Sequence, residues 1–518
     1  MVNGSPRVAF AGRLSRRSAL ARGMVLAAAA AVPASFLASR TAEAKVMKRC
    51  EVGSKQGGID CEKLSKAIGL MKRKGISDPY SYDYQAGLHG VRYLGLNDKA
   101  QILDAVFGRN PSDTRTRAER TWNTCISHYG SQQVKEHNAQ WFISWHRMYL
   151  YYFERIAQHV LMDATFRLPY WNYCEPDNRI LPGAFRDVQS PLYNPTRHRD
   201  PTTPYMGRTP EVRNGAPFDG DLGRRTQALL LTAAVVRPTD FEGFRESIKH
   251  PHDQVHQAIG WDMGNVPTAA HDPVFWLHHA NLDRLWSIWL KTTGPNKATR
   301  ANPSTTEWRD KTFSFIDVGD TGPVVRDART SEFLDSLPLL YVYDDEKGEK
   351  VQATLLAAKP RTLGTAPGLP AGARLIADAT GLSGGRPLRL TFTPQHAEAT
   401  LRRMAASADD QRAIRMTLHN VQASRQPGAS YSLYLDLPED DAASDVFWAG
   451  ELTFFDNIVQ PGGPSGSFGA DSRFDITETV FRLATAGLLA EQTSLTVVPR
   501  GDPATIVSFA SGTISLTG

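Results

Sequence analysis

The sequence has no block of basic charge outside its first 44 residues. Arg7, Arg13, Arg16, Arg17, Arg22 and Arg40 stand there against the single acid Glu43, which accounts for the whole formal excess of +5. The remainder is close to neutral, so an electrostatic footprint for nucleic acid is absent. No stretch after the leader is long and apolar enough for a membrane span. Internal repeats and long low-complexity tracts are also missing. Cysteine is scarce, with Cys50, Cys61, Cys125 and Cys174 the only four. In an oxidising compartment they could pair. Cys50 and Cys61 bracket a short Gly-containing loop and are the expected pair, although sequence alone does not fix connectivity. Histidine is nearly absent from the C-terminal part: His396 and His419 lie there, whereas the other twelve of fourteen precede residue 280. The chemistry is therefore expected in the first part of the chain.

What is present begins with residues 1–44, which read as an export signal of the twin-arginine type. Ser15-Arg16-Arg17-Ser18-Ala19-Leu20 supplies the paired arginines. An Ala-rich apolar stretch follows from Met24 to about Ala38, and Ala42-Glu43-Ala44 fits a small-x-small cleavage site. Such signals serve proteins exported already folded, which predicts a periplasmic or secreted location.

Residues 45 to about 290, within a first domain expected over 45–345, hold apolar and aromatic stretches of helical length separated by Pro/Gly/Asp-rich loops. His146 to Ile156 is apolar around most of its circumference, so it reads as a helix buried on several sides. Val274 to Leu290 carries Leu282, Leu285, Trp286 and Trp289 at helical spacing. Residues 175–225 read as a long surface loop region. The texture then changes. Residues 346–376 read as a linker, and 377–518 as a β-rich domain with strands expected at Leu388–Phe392, Ser430–Leu437, Glu451–Phe455 and Ser494–Val498.

His252 and His256 stand four apart, which on a helix places both imidazoles on one face. The pair is not a zincin motif, because Asp253 follows where that motif needs the general-base Glu. His278-His279 comes shortly after. Upstream, His137 and His146 are nine apart and half a turn out of phase, so His137 is expected before the helix that His146 begins. An all-imidazole set without thiolate or carboxylate suits copper better than calcium or magnesium, with zinc the main competitor. Spacing by itself goes no further than a His-rich metal site.

On these residues the sequence resembles the tyrosinase/polyphenol oxidase/haemocyanin family of type 3 copper proteins. The resemblance rests on Tyr84-Gln85-Ala86-Gly87-Leu88-His89-Gly90, on Ser144-Trp145-His146-Arg147-Met148-Tyr149-Leu150, and on Leu168-Pro169-Tyr170-Trp171-Asn172. It continues in Pro251-His252-Asp253-Gln254-Val255-His256, in the Asp272-to-Trp286 segment, and in the Tyr-x-Tyr mark Tyr341-Val342-Tyr343. It implies a mainly α catalytic domain, a four-helix bundle around two copper ions, followed by a β-sandwich-like C-terminal domain that covers the site in relatives. One copper would be held by His89, His137 and His146, the other by His252, His256 and His279, with His278 a neighbour. His128 competes with His137, because Trp122-Asn123-Thr124-Cys125-Ile126-Ser127-His128 resembles the family's approach to the second ligand. An insertion over 126–136 would move Cys125 from the position that forms a thioether in some relatives, leaving a buried thiol or disulfide partner.

The implied activity is oxidation of small phenolic substrates by O2: ortho-hydroxylation of monophenols and oxidation of o-diphenols to o-quinones. The alternatives are an o-diphenol or o-aminophenol oxidase without hydroxylation, and an O2 carrier like haemocyanin. Glu242, in Glu242-Gly243-Phe244-Arg245, resembles the acid thought to position a proton-accepting water, with Glu246 the runner-up. Asp253 stands at the position of the helper Asn. Val266 matches a gate above the second copper. The sequence leaves homo-oligomerisation open.

Overall fold

The computed structural model describes residues 46–96, 98–125, 139–198, 224–293, 300–346, 374–378, 387–393, 397–408, 412–423, 430–440, 443–453, 455, 470–500 and 507–517. The expected export signal, the two competing residues His128 and His137, and nearly all of the expected linker lie outside the described residues.

Four long helices dominate the first part: α1 (Lys55–Lys72), α3 (Phe142–Leu161), α4 (Phe241–Ile259) and α5 (Val274–Lys291), with a short α2 (Tyr82–Gly87) between the first two. Local signals set their starts. The Ser54 and Ser81 hydroxyls accept the backbone N–H groups of Gly57 and Tyr84 at the heads of α1 and α2. The Asp240 carboxylate does the same for Gly243 at the head of α4. Helices α3 and α5 are buried on nearly every side, from Phe142 through Glu154 and from Val274 through Trp289. They form the centre of the bundle, as expected for helices apolar around their circumference. Helix α3 starts one turn before His146, so that residue sits inside the helix rather than at its head. Helix α4 contains Pro251, which cannot donate an N–H to the preceding turn.

A buried ion cluster ties the domain together at Asp283 of α5. Its carboxylate accepts from Arg147 of α3 at 2.5 Å, Arg49 at 3.3 Å, Tyr341 at 2.7 Å and Tyr343 at 2.6 Å. Arg49 also pairs with Glu154 at 3.0 Å. The strand holding Arg49, β1 (Met47–Arg49), runs parallel to the strand holding the two tyrosines, β4 (Tyr341–Tyr343). The Tyr-x-Tyr mark thus closes the domain by fixing its first strand to the bundle. A hairpin of β2 (Thr312–Gly319) and β3 (Gly322–Arg329) packs on α3.

The C-terminal part is β-rich, as expected. One antiparallel sheet holds β5 (Arg374–Asp378), β7 (Ala413–Ala423), β10 (Ala470–Asp475) and β13 (Ser511–Thr517) in the order β10-β7-β13-β5, with β12 (Val507–Ser508) also on β7. The other holds β6 (Leu388–Thr391), β8 (Ser430–Leu435), β9 (Trp448–Leu452) and β11 (Ser494–Arg500) in the order β6-β11-β8-β9. Both sheets, with α6 (Ala397–Ser407) and α7 (Thr477–Ala486), share one apolar core that is separate from that of the bundle. Strand β5 begins inside the stretch read as linker. Strand β9 covers Trp448–Leu452 rather than the expected Glu451–Phe455, so Phe455 lies beyond it. Phe455 is the exception to the separation of cores: it is buried among the residues of the bundle. Among the described residues no helix is long and apolar enough to cross a membrane.

The expected Cys50–Cys61 pair is not formed, and no disulfide joins the four cysteines. The reason is local. Residues 55–72 are one helix rather than a loop, so Cys61 faces the core from α1 while the Cys50 thiol donates to the Lys48 carbonyl at 3.9 Å. Burial pushes both thiols up, to about 11 for Cys50 and about 12 for Cys61.

Candidate metal centre

Two groups of buried side chains with metal-ligand chemistry face each other in the bundle. In one, the ligand atoms of His252, His256, His278 and His279 all lie within 4.8 Å of one another. In the other, those of His89, Cys125 and His146 do so. The imidazoles of His146 and His279 stack across the boundary, with centroids 4.1 Å apart.

Each element has a local reason for presenting its ligand. His252 and His256 occupy one face of α4, one turn apart, and their rings are 4.5 Å apart. His89 follows the last turn of α2. Its neighbour Gly90 is required there, because a Cβ would come within 2.2 Å of the Pro267 carbonyl oxygen. That contact presses the His89 segment against the turn that begins at Val266, which is itself buried.

Hydrogen bonds orient the rings. His146 Nδ1 lies 2.7 Å from the Phe142 carbonyl, His256 Nδ1 is 2.6 Å from the Met263 carbonyl, and His252 Nδ1 is 2.7 Å from Asp253 Oδ1. A proton on Nδ1 makes Nε2 the nitrogen that carries the lone pair, and such outer bonds fix ring direction and tautomer. Neither ring nitrogen of His278 or His279 has a hydrogen-bond partner among the described residues, although both rings are fully buried. Burial, with the neighbouring imidazoles, holds both well below the usual histidine range, so they are neutral. A neutral imidazole with an unengaged ring nitrogen, as at His278 and His279, is the form in which histidine binds a transition metal. His278, expected only as a neighbour, is thus part of the same set as His279.

The remaining predicted residues fall in different places. Cys125 is buried beside His89 and His146. Asp253 is buried and divides its carboxylate: Oδ1 faces His252, and Oδ2 accepts from the Thr453 hydroxyl of the C-terminal domain at 2.8 Å. Glu242 is not brought to the histidines. It lies in the first turn of α4, ten residues and about 15 Å along the axis from His252. There it accepts from Arg245 at 2.8 Å and pairs with Arg473 at 3.8 Å. Burial works upward on this carboxyl, yet Arg245 together with Arg473 and Arg415 keeps it below the usual range.

Sequence reasoning did not single out Phe455 and Thr453. The Phe455 ring stacks on His256 at 3.8 Å and 16°, and meets His252 edge-on at 5.2 Å. No local pattern could have marked it, since its partners are two hundred residues away.

Residues 79–292 match the family described as the common central domain of tyrosinase. The chain is 29% identical over 453 residues to a tyrosinase of Hahella sp. (strain CCB-MM4), covering 81% of this chain and 88% of that one. It is 30% identical over 310 residues to the chloroplastic polyphenol oxidase of Vitis vinifera, covering 55% of this chain and 45% of the other, so it spans less than half of that plant relative. The structure of latent apple tyrosinase aligns with 92% of this chain and 98% of that chain at a TM-score of 0.58 and 20% identity, which supports the overall fold, C-terminal domain included. The matched central domain contains the three long helices that carry the histidine sets, and residues 79–292 of this chain are a tyrosinase common central domain.

Proposed function

We propose that this protein is an exported, copper-dependent phenol oxidase that hydroxylates monophenols, oxidises o-diphenols to o-quinones, and is kept latent by its own C-terminal domain. The observation that carries the reading is the meeting of two buried ligand sets at the stacked His146 and His279 rings. His89, His137 and His146 would hold one copper and His252, His256 and His279 the other. When bound, the copper pair supplies O2 activation and a two-electron oxidation.

The chain's own residues do the rest. Phe142 packs edge-on against His252 and Phe275 against His279, so the imidazoles stand among aromatic rings with which a phenol ring is compatible. Val266 is assigned the gate, where its small side chain would let a ring enter. Asp253 is the carboxylate nearest the histidines and is assigned the phenol proton. Glu242 is left to its contacts with Arg245 and Arg473. In the closed chain Asp253 Oδ2 is engaged by Thr453 and the face of His256 is covered by Phe455. Substrate access and proton acceptance would therefore both require the C-terminal domain to move.

A second reading, oxidation of diphenols alone, is favoured by the hydrogen bond that Asp253 Oδ1 accepts from His252 Nδ1. A carboxylate devoted to orienting a ligand is not a proton acceptor. One experiment separates these readings: the copper-loaded protein assayed with a monophenol and a diphenol, as the full chain and as a chain ending near residue 350. The separate core of the bundle supports folding of the shorter form. Diphenol turnover should rise on truncation, and monophenol turnover should appear with it. Equal rates in the two forms would remove the lid role, and absent monophenol turnover in both would leave the diphenol oxidase.

A further inference from the structure

Two arginines project from one face of the C-terminal sheet. Arg473 of β10 pairs across the ladder with Thr417 of β7, two residues from Arg415, and strand alternation places Arg415 and Thr417 on the same side. Opposite them stands the first turn and a half of α4. Arg415 lies 3.3 Å from Glu246 and 3.9 Å from Asp240. Arg473 lies 3.8 Å from both Glu246 and Glu242.

The contact is built into the helix. Gly243 leaves room for the Arg415 guanidinium, since a Cβ there would stand 3.1 Å from its Nη2. Only 11% of the Glu246 side chain and 13% of that of Arg415 remain exposed. Charges so far withdrawn from water are stable only while paired. Among the described residues both arginines within 4 Å of Glu246 belong to the C-terminal domain. Arg245, by contrast, would stay with Glu242 if that domain left.

We propose that Asp240, Glu242 and Glu246 together with Arg415 and Arg473 form an ionic latch that holds the C-terminal domain over the metal centre and sets the fraction of open chains. The inference rests on the reading of that domain as a lid. The latch lies at the far end of α4 from the ligands: Glu246 is about 9 Å along the axis from His252 and about 15 Å from His256. It can be weakened without touching them.

The test uses the full, copper-loaded chain and two readouts, diphenol turnover and radius of gyration by small-angle scattering. Arg415→Glu should raise turnover at least about tenfold, since removing one member of a buried pair is strongly destabilising, and should enlarge the particle. Glu246→Arg should do the same. The double variant, Glu246→Arg with Arg415→Glu, should return both readouts toward the wild type. If Arg415→Glu does not accumulate in soluble form, Arg415→Met and Arg473→Met keep the side-chain stem and carry the same expectation. Phe455→Gly reports on the lid separately, because it should raise turnover without enlarging the particle. Activation by Phe455→Gly with no response to the arginine variants would overturn the latch and leave the lid standing. A double variant as open as its single parents would also overturn it. No activation by Phe455→Gly and none by truncation near residue 350 would overturn the lid reading, and the latch with it.

Discussion

His146 and His279 come from different helices and lie face to face, their imidazole planes 8° apart and their centroids separated by 4.1 Å. Uncharged rings can stack in this way, whereas two imidazolium ions at that distance would repel. The contact brings the two ligand sets together in the centre of the bundle.

Metal stoichiometry follows from that arrangement. Each chain should bind two coppers, and His279→Ala should lose at least one of them, measured by elemental analysis after removal of loosely held metal. His278→Ala distinguishes a second ligand from a neighbour. If His278 only packs beside the site, copper content stays at two; a fall to the level of His279→Ala would make it a ligand.

Phe455 contributes an aromatic stack on His256 and an edge-on contact with His252. Aromatic pairs are worth about 0.5–1.5 kcal/mol beyond their buried area. Phe455→Gly in the full chain should therefore raise diphenol turnover several-fold, with most of the change in kcat/KM because access is what improves. Steady-state kinetics with a small catechol would check this, and an unchanged kcat/KM would mean that the ring covers nothing the substrate uses.

Asp253 has two readings that one series separates. As proton acceptor, Asp253→Ala should lower monophenol turnover at least tenfold more than diphenol turnover, since general bases typically contribute about 10²–10⁴-fold. Asp253→Asn should keep part of the hydroxylation, because an amide can still orient water. As a support for His252, Asp253→Ala should lower both activities equally as copper content falls. Activity and copper measured on the same samples decide between them.

The C-terminal domain carries its own pH dependence. Burial pushes the Asp436 carboxyl up to about 6, against the backbone N–H groups of Ser494 and Ala490 that bond to it. A carboxyl raised in the folded state favours folding below its unfolded pKa of about 3.9, and that contribution is lost as pH rises through about 6. Asp436→Asn removes the titration. Thermal midpoints should therefore move in favour of the Asn variant as pH is raised from 4.5 to 7.5, by an amount worth at most roughly 3 kcal/mol. A pH-independent difference between the two proteins would contradict the assignment.

Much of the bundle was legible because its helices are apolar on nearly all sides and its histidines keep helical spacing, as in His252 and His256. The C-terminal strands were legible from short β-rich runs, and β6, β8 and β11 start where expected. Contacts between distant segments were not legible. Cys50 and Cys61 looked like the ends of a loop because Gly57 and Gly58 sit between them, yet Ser54 caps a helix there. Glu242 looked like a site residue from its neighbours in sequence, but the direction of α4 takes it away from the metal centre and toward Arg473. Thr453 and Phe455 carry no local mark, since their roles depend on which surface β9 is delivered to.

Helix α4 serves two neighbours at once, and Pro251 divides it. The missing N–H leaves the Ser247 carbonyl without its helical partner, so the rigid ladder is interrupted between Glu246 and His252. The front half meets the arginines of the adjoining domain, and the rear half carries His252 and His256. A lineage could drift from tightly closed to constitutively open by changing residues 240–246 alone. The histidines could be conserved throughout, so that control of the enzyme and its chemistry would evolve on separate schedules along one helix.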